Sequence, residues 1–223
     1  GFLLTDVVPY KKGNHIIERN LLLPEYLDCK AKDKHTDLFL DKPSFTQADR
    51  WIEKNIRGQF ICINPCTGRP NKFWLDQRWA QVADQLIEKL GITVVFTGAK
   101  QDTDRINNII SQMKNRSSAK VAAGSLSLLA SAALFKRSKL LLATDTGPLH
   151  IAKAMRTPII GLFGPVDPKE WGYDDKTSIT IDKFKDCKCK YLPDCVQEDK
   201  YLCMRGISVQ EVVEAALKLW KKN

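Results

Sequence analysis

The sequence predicts an α/β protein in which a parallel sheet is covered by helices on both faces. Three observations predict this class. From residue 59 onward, short apolar runs alternate with amphipathic segments of helical spacing. The apolar runs are nearly continuous, as is typical of strands that are buried on both faces. Residues 139–163 also follow the order strand, tight turn, helix and strand, which indicates parallel strands joined by a helix.

The predicted strands are the short apolar runs, most of which precede polar or glycine-containing segments. Six are expected, at residues 60–64, 93–97, 119–122, 140–143, 159–163 and 178–181. Their order in the sheet does not follow from this pattern. Ligands of such sheets bind beyond the carboxyl ends of the strands, so the loops at those ends are expected to converge on one site. These loops span residues 64–74, 97–102, 144–150 and 164–173.

Helices fill the segments between the strands. The helix at residues 76–90 places Trp79 and Leu86 on one apolar face. Ser127 is a suitable N-cap for a helix that ends near Lys136. Further helices are expected at residues 102–113 and 148–155, and a capping box of Ser208 and Glu211 opens a last helix through Leu219.

Residues 1–57 show no repeat of strand and helix. A helix is expected over residues 15–23, where Pro24 limits its extent. A second helix is expected over residues 44–56, with Ser44 or Thr46 as the N-cap. We interpret this segment as the end of a larger preceding unit.

Composition narrows the function classes. The 223 residues are 43% hydrophobic, which supports a sizeable core, and carry a formal net charge of +9. No window approaches the roughly 18 consecutive apolar residues of a membrane span, and no signal peptide is visible, so a cytoplasmic location is expected. The charge reflects either a lysine-rich surface or anionic partners such as nucleotide phosphates, phosphorylated glycolipid or an acidic membrane face. Nucleic acid is not expected as a partner, because the lysines are dispersed and no known nucleic-acid-binding motif is visible.

Residues 144–150 (TDTGPLH) are the most informative segment. They join a predicted strand to a predicted helix, so unpaired amides and the helix dipole form a natural anion site there. With residues 162–165 (LFGP), this segment resembles the signature of glycosyltransferase family 9, the bacterial lipopolysaccharide heptosyltransferases. Residues 64–68 (NPCTG) and 72–74 (KFW) are similar to that family's first-strand loop. The resemblance covers most of residues 15–221.

The resemblance implies a GT-B fold of two Rossmann-like domains with the active site in the cleft between them. It assigns residues 58–223 to the C-terminal, donor-binding domain, and residues 1–57 to the end of the acceptor domain and the connecting segment. It implies inverting, metal-independent transfer of a sugar from a nucleotide-diphosphate donor, ADP-heptose, to the lipopolysaccharide/lipid A core, without a cofactor. The base is expected in the N-terminal domain, so transfer by this chain alone is not expected. Peripheral contact with the anionic inner membrane fits this acceptor, and a non-catalytic nucleotide- or sugar-binding module is the alternative function.

Candidate donor-binding residues surround the turn of the signature. Gly147 lets the backbone approach a diphosphate closely, and the Thr146 hydroxyl can add a hydrogen bond. Asp145 is a candidate for binding sugar hydroxyls, or simply caps the following helix. His150 either donates to a phosphate or serves as a structural donor.

Two neighbouring loops supply the other candidates. Without a metal, the protein itself must stabilise the departing diphosphate. Lys72 is the candidate point charge for this task, with a solvated loop lysine as the alternative. Thr67 and Gly68 either meet the diphosphate or form an ordinary turn, and Asp102 lies in the loop expected near the ribose or base.

Four of the seven cysteines cluster near the C-terminus with the spacing C-x-C-x5-C-x7-C. Zinc sites usually contain C-x2–4-C pairs, so this spacing is atypical. A structural zinc or thiol cluster and simple packing of the thiols are both open, and disulfides are disfavoured without a secretory signal. The four residues are Cys187, Cys189, Cys195 and Cys203.

Overall fold

The computed structural model describes residues 5–9, 13–196 and 198–222. Within these ranges the strands are β1 (Phe60–Asn64), β2 (Thr93–Phe96), β3 (Ala119–Val121), β4 (Leu141–Thr144), β5 (Ile159–Phe163) and β6 (Ser178–Asp182). The helices are α1 (Ile16–Tyr26), α2 (Lys42–Asn55), α3 (Asp76–Leu90), α4 (Thr103–Ser111), α5 (Leu128–Arg137), α6 (Gly147–Ala154), α7 (Pro168–Trp171), α8 (Leu202–Gly206) and α9 (Val209–Trp220).

The six strands form one parallel sheet in the order β3-β2-β1-β4-β5-β6. From β1 the chain builds the sheet towards β3, and from β4 it builds in the opposite direction. The connections therefore diverge between β1 and β4, and such a switch point leaves a crevice at the carboxyl ends of the strands. Asn64 is paired in register with Ala143, so the loops that follow these two strands start side by side.

Two apolar clusters cover the two faces of the sheet. Strand β1 contributes alternate side chains to both clusters. Ile61 and Ile63 pack with residues of α3, α4 and α9 on one face, and Phe60 and Cys62 pack with residues of α2, α5 and α6 on the other. Successive side chains of a strand point to opposite faces, so a strand buried on both faces has no polar alternation. The predicted arrangement of a parallel sheet between two helical layers is confirmed.

Most predicted elements lie within two residues of those observed. Strands β1 and β5 and helix α3 match their predicted bounds. Ser127 caps α5 as expected, since its side chain accepts a hydrogen bond from Ala130 N at 3.1 Å. The capping box of Ser208 and Glu211 is also present at the start of α9. The short helices α7 and α8 were not predicted, because four or five residues carry too little periodicity.

Two predictions near the N-terminus were wrong. Helix α1 does not stop before Pro24 but continues to Tyr26. A proline removes only its own N–H donor, so the last turn still forms, and Leu27 N donates to Pro24 O at 3.1 Å. Helix α2 is capped neither by Ser44 nor by Thr46. Its N-cap is Asp41, whose side chain accepts a hydrogen bond from Ser44 N at 3.0 Å.

The two N-terminal helices differ in their packing. Helix α2 packs against α5, and Ala48 contributes to the core from this helix. Helix α1 has no buried residue. The division of the chain at residues 57 and 58 stays a prediction. Within the described ranges, none of the helices is long and apolar enough to cross a membrane.

Candidate functional site

A cavity of about 670 Å³ opens at the carboxyl ends of β1, β2 and β4. The loops that follow these strands form its rim. Thr67 and Gly68 line it from the first loop, Asp102 from the second, and Thr146 and Gly147 from the third. Three of the four predicted loops therefore converge on one cavity, because the switch point between β1 and β4 separates their helices.

An apolar wall of this cavity was not singled out by the sequence pattern. Leu126, Leu128 and Phe135 line it from α5 and the residues before it, and Ile151 lines it from α6. Leu128 is 70% exposed, although it begins a helix whose other face is buried. The sequence signal for this wall is the leucine that directly follows the N-cap Ser127, and sequence reasoning did not use it. Ligand sites typically combine such apolar surface with a few polar groups.

The start of α6 presents backbone to this cavity. Its N-cap residue, Thr146, makes no capping hydrogen bond in the described structure, and its hydroxyl instead donates to Thr144 O at 3.2 Å. A Cβ added to Gly147 would meet nothing within 4 Å, so the main chain is accessible from that side. Asp145 does not cap the helix, because its carboxylate binds Lys72. The first-turn amides are therefore free of a capping side chain, as an anion site at a helix N-terminus requires.

Lys72 lies at the base of the same turn. It ends a short 3₁₀ segment, Pro70–Lys72, in the loop after β1. Its Nζ lies 2.5 Å from Asp145 Oδ2 and 3.4 Å from Asp145 O. The Lys72 and Asp145 side chains are only 14% and 8% exposed. The alternative of a solvated loop lysine is therefore wrong, and the ammonium of Lys72 binds the residue two positions before Gly147.

His150 connects Asp145 to the fourth predicted loop. Its Nδ1 lies 2.9 Å from the Tyr173 hydroxyl, and its Nε2 lies 3.9 Å from Asp145 Oδ1. Burial lowers the pKa of His150, and the Asp145 charge offsets part of this effect. Because both ring nitrogens face protein groups, the structural role is favoured over phosphate binding. The loop after β5 thus joins the site through Tyr173, which the sequence reasoning did not single out.

Asp102 has a structural task as well as a place on the rim. Its Oδ2 accepts a hydrogen bond from Ala99 N at 2.8 Å, which closes the loop after β2. It also lies beside the thiol of Cys66, whose pKa is raised to about 12 by burial and further by the Asp102 charge. The thiol is therefore neutral and faces the same cavity. Ligand binding by Asp102 stays a prediction.

The eight candidate residues thus form two adjoining groups. Those that line the cavity are Thr67, Gly68, Asp102, Thr146 and Gly147. Lys72, Asp145 and His150 form a polar cluster beside it, joined by the contacts given above. The backbone of residues 145–147 is shared by both groups. A diphosphate held at this turn would lie between the cavity and the cluster.

The clustered cysteines pack behind the loop after β5. Cys189 Sγ lies 3.3 Å from Cys195 Sγ, and burial raises the pKa of Cys203 to about 12, with the neighbouring Cys187 adding to the effect. Three of the four are buried, and the exception is Cys195. In the described part of the chain, no group of three or more His, Cys, Asp or Glu side chains is arranged to hold a metal ion. The described structure thus shows closely packed thiols, and the choice between a structural cluster and simple packing stays a prediction.

Comparison with known families agrees with this geometry. The family model described as glycosyltransferase family 9 (heptosyltransferase) matches residues 2–198. The chain belongs to glycosyltransferase family 9. The signature that indicated this family, residues 144–150, is the turn that carries the candidate site.

Individual relatives of this family 9 chain match it over part of their length. The lipopolysaccharide core heptosyltransferase OpsX of Haemophilus influenzae is 26% identical over 156 residues, which are 69% of this chain and 44% of OpsX. The chain spans about half the length of the curated relatives it matches.

Solved structures confirm the fold class, a Rossmann-like domain of the GT-B type. The family 9 glycosyltransferase of Veillonella parvula superposes with a TM-score of 0.79 and 23% identity, covering 98% of this chain and 63% of that one. The Escherichia coli heptosyltransferase WaaC, solved with ADP, superposes with a TM-score of 0.63 and 19% identity, covering 94% of this chain and 58% of WaaC.

Proposed function

We propose that this family 9 chain is the donor-binding part of an inverting, metal-independent glycosyltransferase. Its donor is ADP-heptose, and its acceptor is the lipopolysaccharide core. One observation carries the proposal: Lys72 binds Asp145, which directly precedes the uncapped N-terminus of α6, and Thr146 and Gly147 at that N-terminus line a cavity large enough for a nucleotide. The names of the relatives, one of which was solved with ADP, support the choice of donor and acceptor.

The chemistry of sugar transfer explains why this combination matters. When the glycosidic bond to a nucleotide breaks, negative charge accumulates on the departing diphosphate, and groups that stabilise that charge lower the barrier. The amides at Thr146 and Gly147 and the α6 dipole supply a fixed positive field. Lys72 adds a full charge. Asp145 is released from part of its interaction with Lys72 when phosphate oxygens compete for Nζ, and it then accepts hydrogen bonds from the sugar.

The remaining groups have supporting roles in the proposal. Thr67 and Gly68 approach the diphosphate from the loop after β1, since a Cβ added to Gly68 would meet nothing within 4 Å. Asp102 and the apolar wall at Leu128 hold the nucleoside. The base that activates the acceptor is supplied from outside this chain. We therefore propose that the isolated chain binds the donor without transferring the sugar.

Thermal unfolding with a panel of nucleotides tests the proposal. A ligand at 100 times its Kd stabilises a protein by about 2.7 kcal/mol, and each kcal/mol shifts Tm by about 2–4 °C for a chain of this size. We expect ADP to raise Tm by at least ~5 °C and UDP and GDP to raise it by much less. Lys72→Ala is expected to remove most of the shift, while Lys32→Ala, at an exposed lysine, retains it. Equal shifts with all three nucleotides, or none with ADP, would overturn the proposal.

A further inference from the structure

Tyr173 is held on several sides next to the candidate site. Its backbone is tied to β6, because Tyr173 N donates to Thr180 Oγ1 at 3.1 Å and Thr180 Oγ1 lies 2.9 Å from Tyr173 O. The His15 ring centroid lies 5.2 Å from that of Tyr173, and Lys153 Nζ lies 5.4 Å from the ring centroid. These contacts fix the phenol oxygen 2.9 Å from His150 Nδ1.

The surroundings of His150 determine which ring nitrogen carries the proton. Burial lowers the pKa of His150 and raises that of Tyr173, so at neutral pH the imidazole has a single N–H and the phenol keeps its proton. If Nδ1 were protonated, the lone pair of Nε2 would face Asp145 Oδ1, 3.9 Å away. With the proton on Nε2, the phenol donates to Nδ1 and the Nε2–H faces the carboxylate. Both contacts are then favourable.

Asp145 therefore has the Lys72 ammonium at one carboxylate oxygen and the N–H of a neutral imidazole facing the other. Lys72 Nζ lies 2.5 Å from Oδ2, and the His150 Nε2–H faces Oδ1. We propose that Tyr173 is a positioning residue for the donor sugar, which holds the His150 ring through Nδ1 and thereby keeps the Nε2–H facing the carboxylate of Asp145. This proposal rests on the function proposed above, since the sugar is the group that Asp145 would bind.

Loss of the phenol hydroxyl is expected to affect sugar and nucleotide differently. In Tyr173→Phe the His150 ring loses its hydrogen-bond partner at Nδ1, while Asp145 still favours the proton on Nε2. The Asp145 carboxylate then loses a fixed neighbour, while Lys72 and the α6 amides remain for the diphosphate. We expect ADP-heptose to bind about fivefold more weakly, the factor that corresponds to one ordinary hydrogen bond. ADP affinity should stay within about twofold.

The experiment combines nuclear magnetic resonance with calorimetry on the full chain. The chain has three histidines, so long-range ¹H–¹⁵N spectra with His150→Gln for assignment report the tautomer directly. Titration calorimetry measures ADP and ADP-heptose binding to the unaltered chain and to Tyr173→Phe. Tyr26→Phe is the matched control, because it removes an exposed hydroxyl that donates to Asp6. Asp145→Asn, alone and combined with Tyr173→Phe, tests whether the effect passes through the carboxylate.

The expected result is an Nε2–H tautomer in the unaltered chain and a shifted His150 Nδ1 resonance in Tyr173→Phe, because the hydrogen bond at Nδ1 is lost. Tyr173→Phe should also weaken ADP-heptose binding, but not when Asp145→Asn is already present. An unchanged Nδ1 resonance or unchanged ADP-heptose binding in Tyr173→Phe overturns the inference. If Tyr173→Phe does not fold, 3-fluorotyrosine keeps the hydroxyl as a stronger donor, and it must shift the His150 Nδ1 resonance or the inference fails. If the unaltered chain binds neither ligand, the proposed function itself fails, and the Nδ1 resonance in Tyr173→Phe still tests the contact between Tyr173 and His150.

Discussion

Lys72 and Asp145 form an ion pair that joins the loop after β1 to the loop after β4. The two side chains are only 14% and 8% exposed, and Lys72 Nζ also lies 3.4 Å from the backbone oxygen of Asp145, two residues before Gly147. A cation is thus held close to the start of α6 before any ligand arrives. Its position is set by a carboxylate that a phosphate group can partly replace.

The pair should therefore show strong coupling in unfolding experiments. Removing one partner of a buried ion pair leaves the other charge uncompensated, so Lys72→Met and Asp145→Asn are each expected to lower the free energy of unfolding. The double variant should lose less than the sum of the two, with a coupling energy of about 1–3 kcal/mol. Urea unfolding measures all three. The exposed pair of Arg137 and Asp49 is the control, for which coupling below about 1 kcal/mol is expected. Similar coupling in both pairs contradicts this interpretation of the Lys72 site.

Gly147 and Gly161 should respond in opposite ways to the same substitution. A Cβ at Gly147 meets nothing within 4 Å, whereas one at Gly161 comes within 2.7 Å of the Phe163 side chain and 2.9 Å of Leu149. Gly147→Ala is therefore expected to leave Tm within ~2 °C of the unaltered chain while weakening ADP binding several-fold. Gly161→Ala should cost about 1–3 kcal/mol of stability through overpacking. Thermal unfolding and calorimetry measure both quantities, and full ADP affinity in Gly147→Ala argues against amide contact at this turn.

The stability of the fold should fall as the pH is lowered from 7.5 towards 5. Burial lowers the pKa of His150 and of His15, so below pH ~6.5 the unfolded chain binds more protons than the folded one. The groups that face His150 are Asp145, Lys72, His15 and Tyr173. The two neutral histidines therefore contribute their stabilisation above the histidine pKa of the unfolded chain. This contribution is lost as the pH falls through the lower histidine pKa of the folded chain. Thermal unfolding across this range tests the sign.

A variant without both imidazoles separates this effect from other titrations. His15→Gln combined with His150→Gln is expected to flatten the loss of Tm between pH 7.5 and 5. The unaltered chain should retain the steeper slope. If the two slopes are equal, the neutral histidines do not contribute to the pH dependence in this window.

The sequence predicted the sheet well because its strands are buried on both faces, and β1 and β5 therefore appear as unbroken apolar runs. The order of the strands did not follow, since it depends on which neighbours pair over long range. At the site, Lys72 and Asp145 were chosen for separate contacts with a ligand, but their mutual contact spans 73 residues of sequence and has no local signal. The contact between Tyr173 and His150 was missed for the same reason.

Two substitutions of Asp102 should distinguish its role in closing the loop from a role in ligand binding. Its carboxylate accepts from Ala99 N, and an asparagine retains an acceptor at the same place. Asp102→Asn is therefore expected to keep stability within a few tenths of a kcal/mol, while Asp102→Ala loses about 1 kcal/mol as a lost cap does. Both variants should bind ADP several-fold more weakly if the carboxylate meets the ribose. Unchanged ADP affinity in Asp102→Asn would show that Asp102 serves only to close the loop.

The central claim is that a diphosphate binds where the α6 amides and the Lys72 ammonium meet. A crystal structure of the chain with ADP tests this most directly. We expect phosphate oxygens within about 3.2 Å of Gly147 N and of Lys72 Nζ, the limit of an ordinary N–H···O bond. The adenosine should occupy the cavity lined by Leu128 and Asp102. A diphosphate bound elsewhere, with the contact between Lys72 and Asp145 unaltered, would contradict the account.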